Sequence, residues 1–156
     1  MKTVKTVGVA QRMTEFIDVF VQWIRDAGYD VRVCSGPDAD NKCWANRRGG
    51  CAVWRQADMM VYDPWIASSC SGTGAFRLER QRHPDTPVLL WGSGAIPKDV
   101  AEMEQPELVE FLPSNISPQT LTCAIERMIG PPKRETAREI PWNASSYSDR
   151  HPAHSR

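Results

Sequence analysis

Two nearby stretches of the chain decide its fold: Asp58-Met-Met-Val-Tyr-Asp63-Pro64 and, further on, His83-Pro-Asp-Thr-Pro87 followed by Val88-Leu-Leu-Trp91. Each contains a short apolar run bounded by turn-forming residues, a pattern that predicts strands at residues 58–63 and 87–91. Residues 73–82, which lie between them, are predicted to form a helix. A strand, a helix and a second strand in this order imply a right-handed crossover within a parallel sheet.

The flanking sequence extends this alternation in both directions. Further strands are predicted at residues 5–10, 30–34 and 108–112, further helices at 14–27, 97–103 and 117–129, and one or two helical turns at 51–56. Thr14 and Ser117 are candidate helix caps, and Gly28 is suited to end the first helix. The apolar residues of that helix recur at helical spacing and predict an inner face of Phe16, Val19, Phe20, Trp23 and Ile24. Together the elements predict an α/β, flavodoxin-like doubly wound sheet of five parallel strands in the order 2-1-3-4-5.

Composition limits the number of domains and the kinds of partner. A chain of 156 residues with 41% hydrophobic content supports one core, predicted at residues 1–130, and residues 131–156 lack apolar periodicity and are predicted to be disordered. Nineteen basic and nineteen acidic side chains cancel, which favours neither nucleic acid nor a membrane as a partner. The first residues lack the apolar core of a signal peptide, so we expect a cytoplasmic protein.

Several short motifs occur in the order and spacing of the two-component receiver family. The chain resembles that family at Ala27-Gly-Tyr-Asp-Val31, at the strand that ends in Asp63, at Asp85-Thr-Pro-Val88, and at Phe111-Leu-Pro113 followed by Ser117-Pro-Gln-Thr-Leu121. The resemblance covers roughly residues 4–130. It implies a signalling module of the response-regulator type, in which Asp63 occupies the position of the phosphoacceptor and could act in a phosphorelay.

The other positions of the family's phosphorylation site are changed. Phosphoryl transfer to a carboxylate requires Mg²⁺ held by oxygen ligands, and the family supplies two adjacent acidic residues, a hydroxyl residue and a lysine around the phosphoacceptor. In this chain those positions fall at Gln11 and Arg12, at Gly92 or Ser93, and at Ser114. The sequence therefore does not favour a Mg²⁺ site. It predicts a degenerate receiver, or pseudo-receiver, and leaves an atypical phosphoacceptor at Asp63 as an alternative.

An irregular insertion at about residues 34–53 carries three of the five cysteines. Cys34, Cys43 and Cys51, with Cys70 as a fourth, could bind Zn²⁺ or an iron–sulfur cluster, or respond to redox conditions. No two of them have the close C-x₂-C spacing of a metal site, so they could equally be small buried hydrophobic residues. A metal- or redox-sensing protein is thus a second hypothesis.

The sequence predicts an interaction module and not an enzyme. Its three histidines, at positions 83, 151 and 154, lie in a predicted turn and in the predicted tail, which argues against a histidine-dependent nucleophile in the ordered domain. The resemblance implies protein partners, a second copy of the chain among them, bound at the face around the family's fourth helix and fifth strand.

Overall fold

A five-stranded parallel sheet forms the centre of the protein. The structure is a computed structural model that describes residues 4–11, 16–34, 49–63, 75–92 and 106–132. The strands are β1 Thr6–Ala10, β2 Asp30–Cys34, β3 Met59–Tyr62, β4 Val88–Gly92 and β5 Val109–Pro113. Their order is β2-β1-β3-β4-β5, and every neighbouring pair is parallel. The predicted fold class and strand order are confirmed.

Four helices lie between or after the strands in the described residues. They are α1 Ile17–Asp26, α2 Ala52–Gln56, α3 Ala75–Arg82 and α4 Pro118–Ile129, with a short 3-10 turn at Pro106–Leu108. Ser117 caps α4 as predicted, because its hydroxyl accepts a hydrogen bond of 3.2 Å from the Thr120 N–H. Gly28 follows α1 with a φ of 95°, a conformation that a side chain would strain. None of the described helices is long and apolar enough to cross a membrane.

Each face of the sheet has its own hydrophobic core, because side chains alternate between the two faces along a strand. The first core packs α1 and α4 against the sheet and contains Val7, Val9, Ile17, Phe20, Val21, Ile24, Tyr29, Val31, Met59, Val61, Leu89, Leu121, Ala124 and Ile125. The second lies on the opposite face, with α2 and α3, and contains Ala10, Cys51, Trp54, Met60, Tyr62, Phe76, Val88 and Leu90. Gly8 allows α2 to approach β1, since a Cβ there would lie 2.9 Å from Val53 Cγ1.

The predicted inner face of the first helix was partly wrong. Phe16 is 69% exposed and Val19 is 48% exposed, whereas Ile17 and Val21 are buried. Phe16 is exposed because α1 begins at Ile17, which leaves Phe16 at the N-cap position with no side-chain capping hydrogen bond. The helix therefore begins later than predicted, and the predicted cap, Thr14, lies outside the described residues.

The start of β1 and the end of α4 are joined at one end of the sheet. Lys5 Nζ donates a hydrogen bond to the carbonyl of Ile129, and the Tyr29 hydroxyl donates one of 3.1 Å to the carbonyl of Gly130. This end is opposite the edge where the strands finish. The predicted helix at 97–103 lies outside the described residues, as do residues 133–156 of the predicted tail.

Candidate functional site

Asp63 lies at the carboxyl edge of the sheet, where ligands of open α/β folds bind. It directly follows β3, and its N–H donates a hydrogen bond of 3.0 Å to the carbonyl of Ala10 on the neighbouring strand β1. This bond continues the β1–β3 ladder, in which Ala10 pairs with Tyr62. Asp63 is half-buried. The predicted position of this carboxylate at the end of a central strand is thus observed.

Gln11 is the residue after β1 and therefore the neighbour of Asp63 along this edge. It is only 5% exposed, and its side-chain Nε2 has no hydrogen-bond partner in the described part of the chain. A glutamine amide is neutral and offers one carbonyl oxygen, so it contributes far less to a cation site than a carboxylate. A buried amide therefore occupies the position next to Asp63. This bears on the two alternatives from the sequence, a degenerate receiver and an atypical phosphoacceptor at Asp63.

The last two strands bring the remaining described positions to the same edge. Gly92 ends β4 and pairs with Pro113, the last residue of β5. Ser114 directly follows β5, the strand at the edge of the sheet. Ser114 is exposed, and it carries no positive charge that could contact a phosphoryl oxygen. Arg12 and Ser93, the other two predicted positions, lie outside the described residues.

Comparison with solved structures gives the architecture a name. A response regulator receiver protein from Sinorhizobium medicae is 19% identical, with a TM-score of 0.58 over 80% of this chain and 94% of that chain. A receiver domain protein from Methanospirillum hungatei is 12% identical, with a TM-score of 0.59 over 81% of this chain and 94% of that chain. The chain has the receiver fold.

The same fold occurs in a protein named for another role. A putative pilus assembly protein from Burkholderia thailandensis is 20% identical, with a TM-score of 0.59 over 80% of this chain and 97% of that chain. No protein-family model and no curated protein matches the sequence. At these identities the similarity establishes the receiver fold alone.

Two of the predicted cysteine ligands meet on one face of this receiver fold. Cys34 ends β2 and packs against the second core, which contains Cys51. A hydrogen bond from the Cys34 thiol lowers the pKa of Cys51 to about 6, although burial and the nearby Glu79 carboxylate act in the opposite direction. Cys43 and Cys70 lie outside the described residues. Within the described residues no group of three or more metal-ligating side chains is assembled, so the metal hypothesis stays a prediction.

A buried carboxylate near these cysteines was missed by the sequence analysis. Glu79 of α3 is completely buried, and its Oε1 accepts hydrogen bonds from the Cys51 N–H at 3.0 Å and from Arg82 Nη1 at 2.7 Å. Its Oε2 lies 3.5 Å from Nε2 of His83, whose ring stacks on Trp54 with centroids 6.0 Å apart. The only signal in the sequence was the helical spacing of Glu79, Arg82 and His83.

Glu79 connects α3 to the residue that precedes α2. Because the first N–H groups of a helix have no partner within the helix, a carboxylate beside them is stabilising. Here the carboxylate belongs to a different helix, α3, and accepts a hydrogen bond from the Cys51 N–H. The position of the Cys51 thiol therefore depends on α3 as well as on its own segment.

Proposed function

We propose that this protein is a signalling or assembly module that acts by binding other proteins and does not use Asp63 as a phosphoacceptor. The observation that carries the proposal is Gln11, a buried neutral side chain directly beside Asp63, at the position where the resemblance to receivers calls for an acidic pair. In this proposal the protein keeps the receiver fold but lacks the side chains that phosphorylation of Asp63 requires.

The charges around Asp63 do not favour its phosphorylation. Adding a phosphoryl group to Asp63 would bring a charge of about −2 to the sheet edge, which requires a cation and a nearby positive side chain for compensation. Gln11 provides no negative charge to attract Mg²⁺, and Ser114 provides no positive charge for the phosphoryl oxygens. Arg12, if it reaches the edge, would repel a cation and could pair with Asp63 instead.

The partner surface is expected at β5 and the elements beside it. β5 is the last strand of the sheet order, and most of its side chains are only partly buried. The family's fourth helix corresponds to the predicted helix at 97–103, which lies outside the described residues. Among the described residues, Arg127 of the last helix, α4, forms an ion pair with Glu110 of β5. That a putative pilus assembly protein has the same fold supports an assembly role as well as a signalling role.

The first test is a titration with beryllofluoride and Mg²⁺, which together mimic an aspartyl phosphate. Trp91 is the natural reporter. Leu90 of β4 pairs with Tyr62 of β3, so the residues that follow them, Trp91 and Asp63, are neighbours on adjacent strands. We expect no saturable change in the tryptophan fluorescence of a folded sample, while a working receiver treated in parallel responds. A Mg²⁺-dependent change that disappears in Asp63→Asn would instead establish the atypical phosphoacceptor.

A second test asks whether the replaced side chains are the reason why Asp63 does not bind beryllofluoride. The variant Gln11→Asp, Arg12→Asp, Ser114→Lys restores the three changed charges, and we expect it to bind beryllofluoride with Mg²⁺ when the natural protein does not. The matched control replaces Ser114→Lys with Asn115→Lys, which adds the same charge at the next exposed position. Equal responses from the two variants would contradict the assignment of these positions.

A further inference from the structure

The fold brings together two thiols that are far apart in the sequence. Side chains alternate along β2, so that Val31 packs in the first core while Cys34 packs against the second. Cys51 directly precedes α2 and belongs to that second core. Neither cysteine is in a disulfide, and the Cys34 thiol is hydrogen-bonded to Cys51. Their proximity is therefore set by the sheet and by α2 together.

The two thiols differ in their access to solvent. Cys51 is only 5% exposed, whereas Cys34 is partly exposed at the end of an edge strand. A reagent dissolved in water would therefore meet Cys34 first. Cys51 is held behind it, with its N–H fixed by the Glu79 carboxylate. A second thiol in contact with the outer one can attack the mixed disulfide that the outer thiol forms and so close an intramolecular disulfide.

We infer that Cys34 and Cys51 form a reversible intramolecular disulfide, a modification site for low-molecular-weight disulfides. The Cys34 thiol loses its proton to water, and the resulting thiolate attacks one sulfur of the small disulfide and releases one small thiolate. The thiolate of Cys51 then attacks the Cys34 sulfur, and the second small thiolate leaves. The two cysteines are oxidised by two electrons, and the small disulfide is reduced to two thiols.

The bond would join the end of β2 covalently to the residue before α2. Residues 35–50 would then lie within a closed covalent loop, which restricts the unfolded chain more than the folded one. The inference is independent of the proposed function, because neither cysteine belongs to the set around Asp63. Failure of one therefore leaves the other standing.

The test uses the full chain and oxidised glutathione. In the variant Cys43→Ser, Cys70→Ser, Cys123→Ser, only the proposed pair remains, and we expect the intact mass to fall by two hydrogen atoms with loss of both free thiols. Peptide mapping of the natural protein without reduction should give the same Cys34–Cys51 link. Dithiothreitol should restore the original mass.

Single substitutions separate the roles of the two thiols. In Cys51→Ser, the reaction with oxidised glutathione should stop at a mixed disulfide on Cys34. In Cys34→Ser, Cys51 should react with oxidised glutathione about tenfold or more slowly than Cys34 does in Cys51→Ser, because Cys51 is buried. Cys123→Ser is the control, since Cys123 is exposed on α4, and it should leave the link unchanged. The inference is overturned if glutathione remains on Cys34 in the natural protein, or if Cys34 is mapped to Cys43 or Cys70.

Discussion

Replacement of Glu79 should lower the stability of the protein, because this carboxylate is completely buried and joins α3 to the residue before α2. Glu79→Gln keeps the shape and one acceptor oxygen but removes the charge from two hydrogen bonds. A charge-assisted bond is worth about 1 kcal/mol more than a neutral one, so the expected loss is about 1–2 kcal/mol, with the share of Arg82 reduced by its solvent exposure. Glu79→Ala also leaves the Cys51 N–H unpaired and opens a cavity, for a total of about 3–4 kcal/mol.

The loss is measured by urea denaturation followed by circular dichroism under reducing conditions. At about 2–4 °C per kcal/mol for a domain of this size, Glu79→Ala should lower the melting temperature by roughly 10 °C. Arg77→Ala is the control, because Arg77 is exposed on the same helix and should change stability by less than about 0.5 kcal/mol. A Glu79→Ala variant as stable as this control would refute the reasoning.

Three other substitutions test separate parts of the fold. The pKa of Cys51 is lowered from 9.0 to about 6, so between these values the unfolded thiol binds more protons than the folded one. Under reducing conditions, the stability of the natural protein relative to Cys51→Ser should therefore rise with pH from 6 to 9, by at most about 1.4 kcal/mol per pH unit. Below pH 6 this difference in stability should no longer change with pH. A pH-independent difference in urea titrations would contradict the thiolate. Ser117→Ala should cost about 1 kcal/mol through loss of the cap, measured by thermal melting; an unchanged melting temperature would count against that cap. Gly8→Ala should cost about 1–3 kcal/mol in urea, because the new Cβ meets Met60 and Val53; a neutral result would mean that α2 moves freely.

The sheet could be predicted because its strands are short apolar runs whose two faces are both covered. Such runs carry little helical periodicity, and the turn residues around them mark their ends, as at Pro87 before β4. The inner face of α1 was harder to predict. Phe16 shares the helical spacing of the buried residues but precedes the helix, and Val19 lies within the helix on its exposed side.

The candidate site could be predicted only in part. The position of Asp63 follows from the end of a strand, which local sequence reveals. The contact between Cys34 and Cys51 does not, because it depends on which face of the sheet Cys34 occupies and on where α2 packs. Complete burial of Glu79 was also hidden, since a carboxylate is ordinarily expected at the surface and only its partners in space make burial tolerable.

The hydrogen bonds from Lys5 and Tyr29 to the end of α4 have a practical consequence for experiments on this molecule. They hold the beginning of β1 and the end of α4 at the edge of the sheet that is opposite Asp63. A fluorophore or an immobilisation tether attached near Gly130 would therefore leave the carboxyl edge facing the solution. Binding partners could be captured on a sensor surface in this orientation, without a label beside the residues under test.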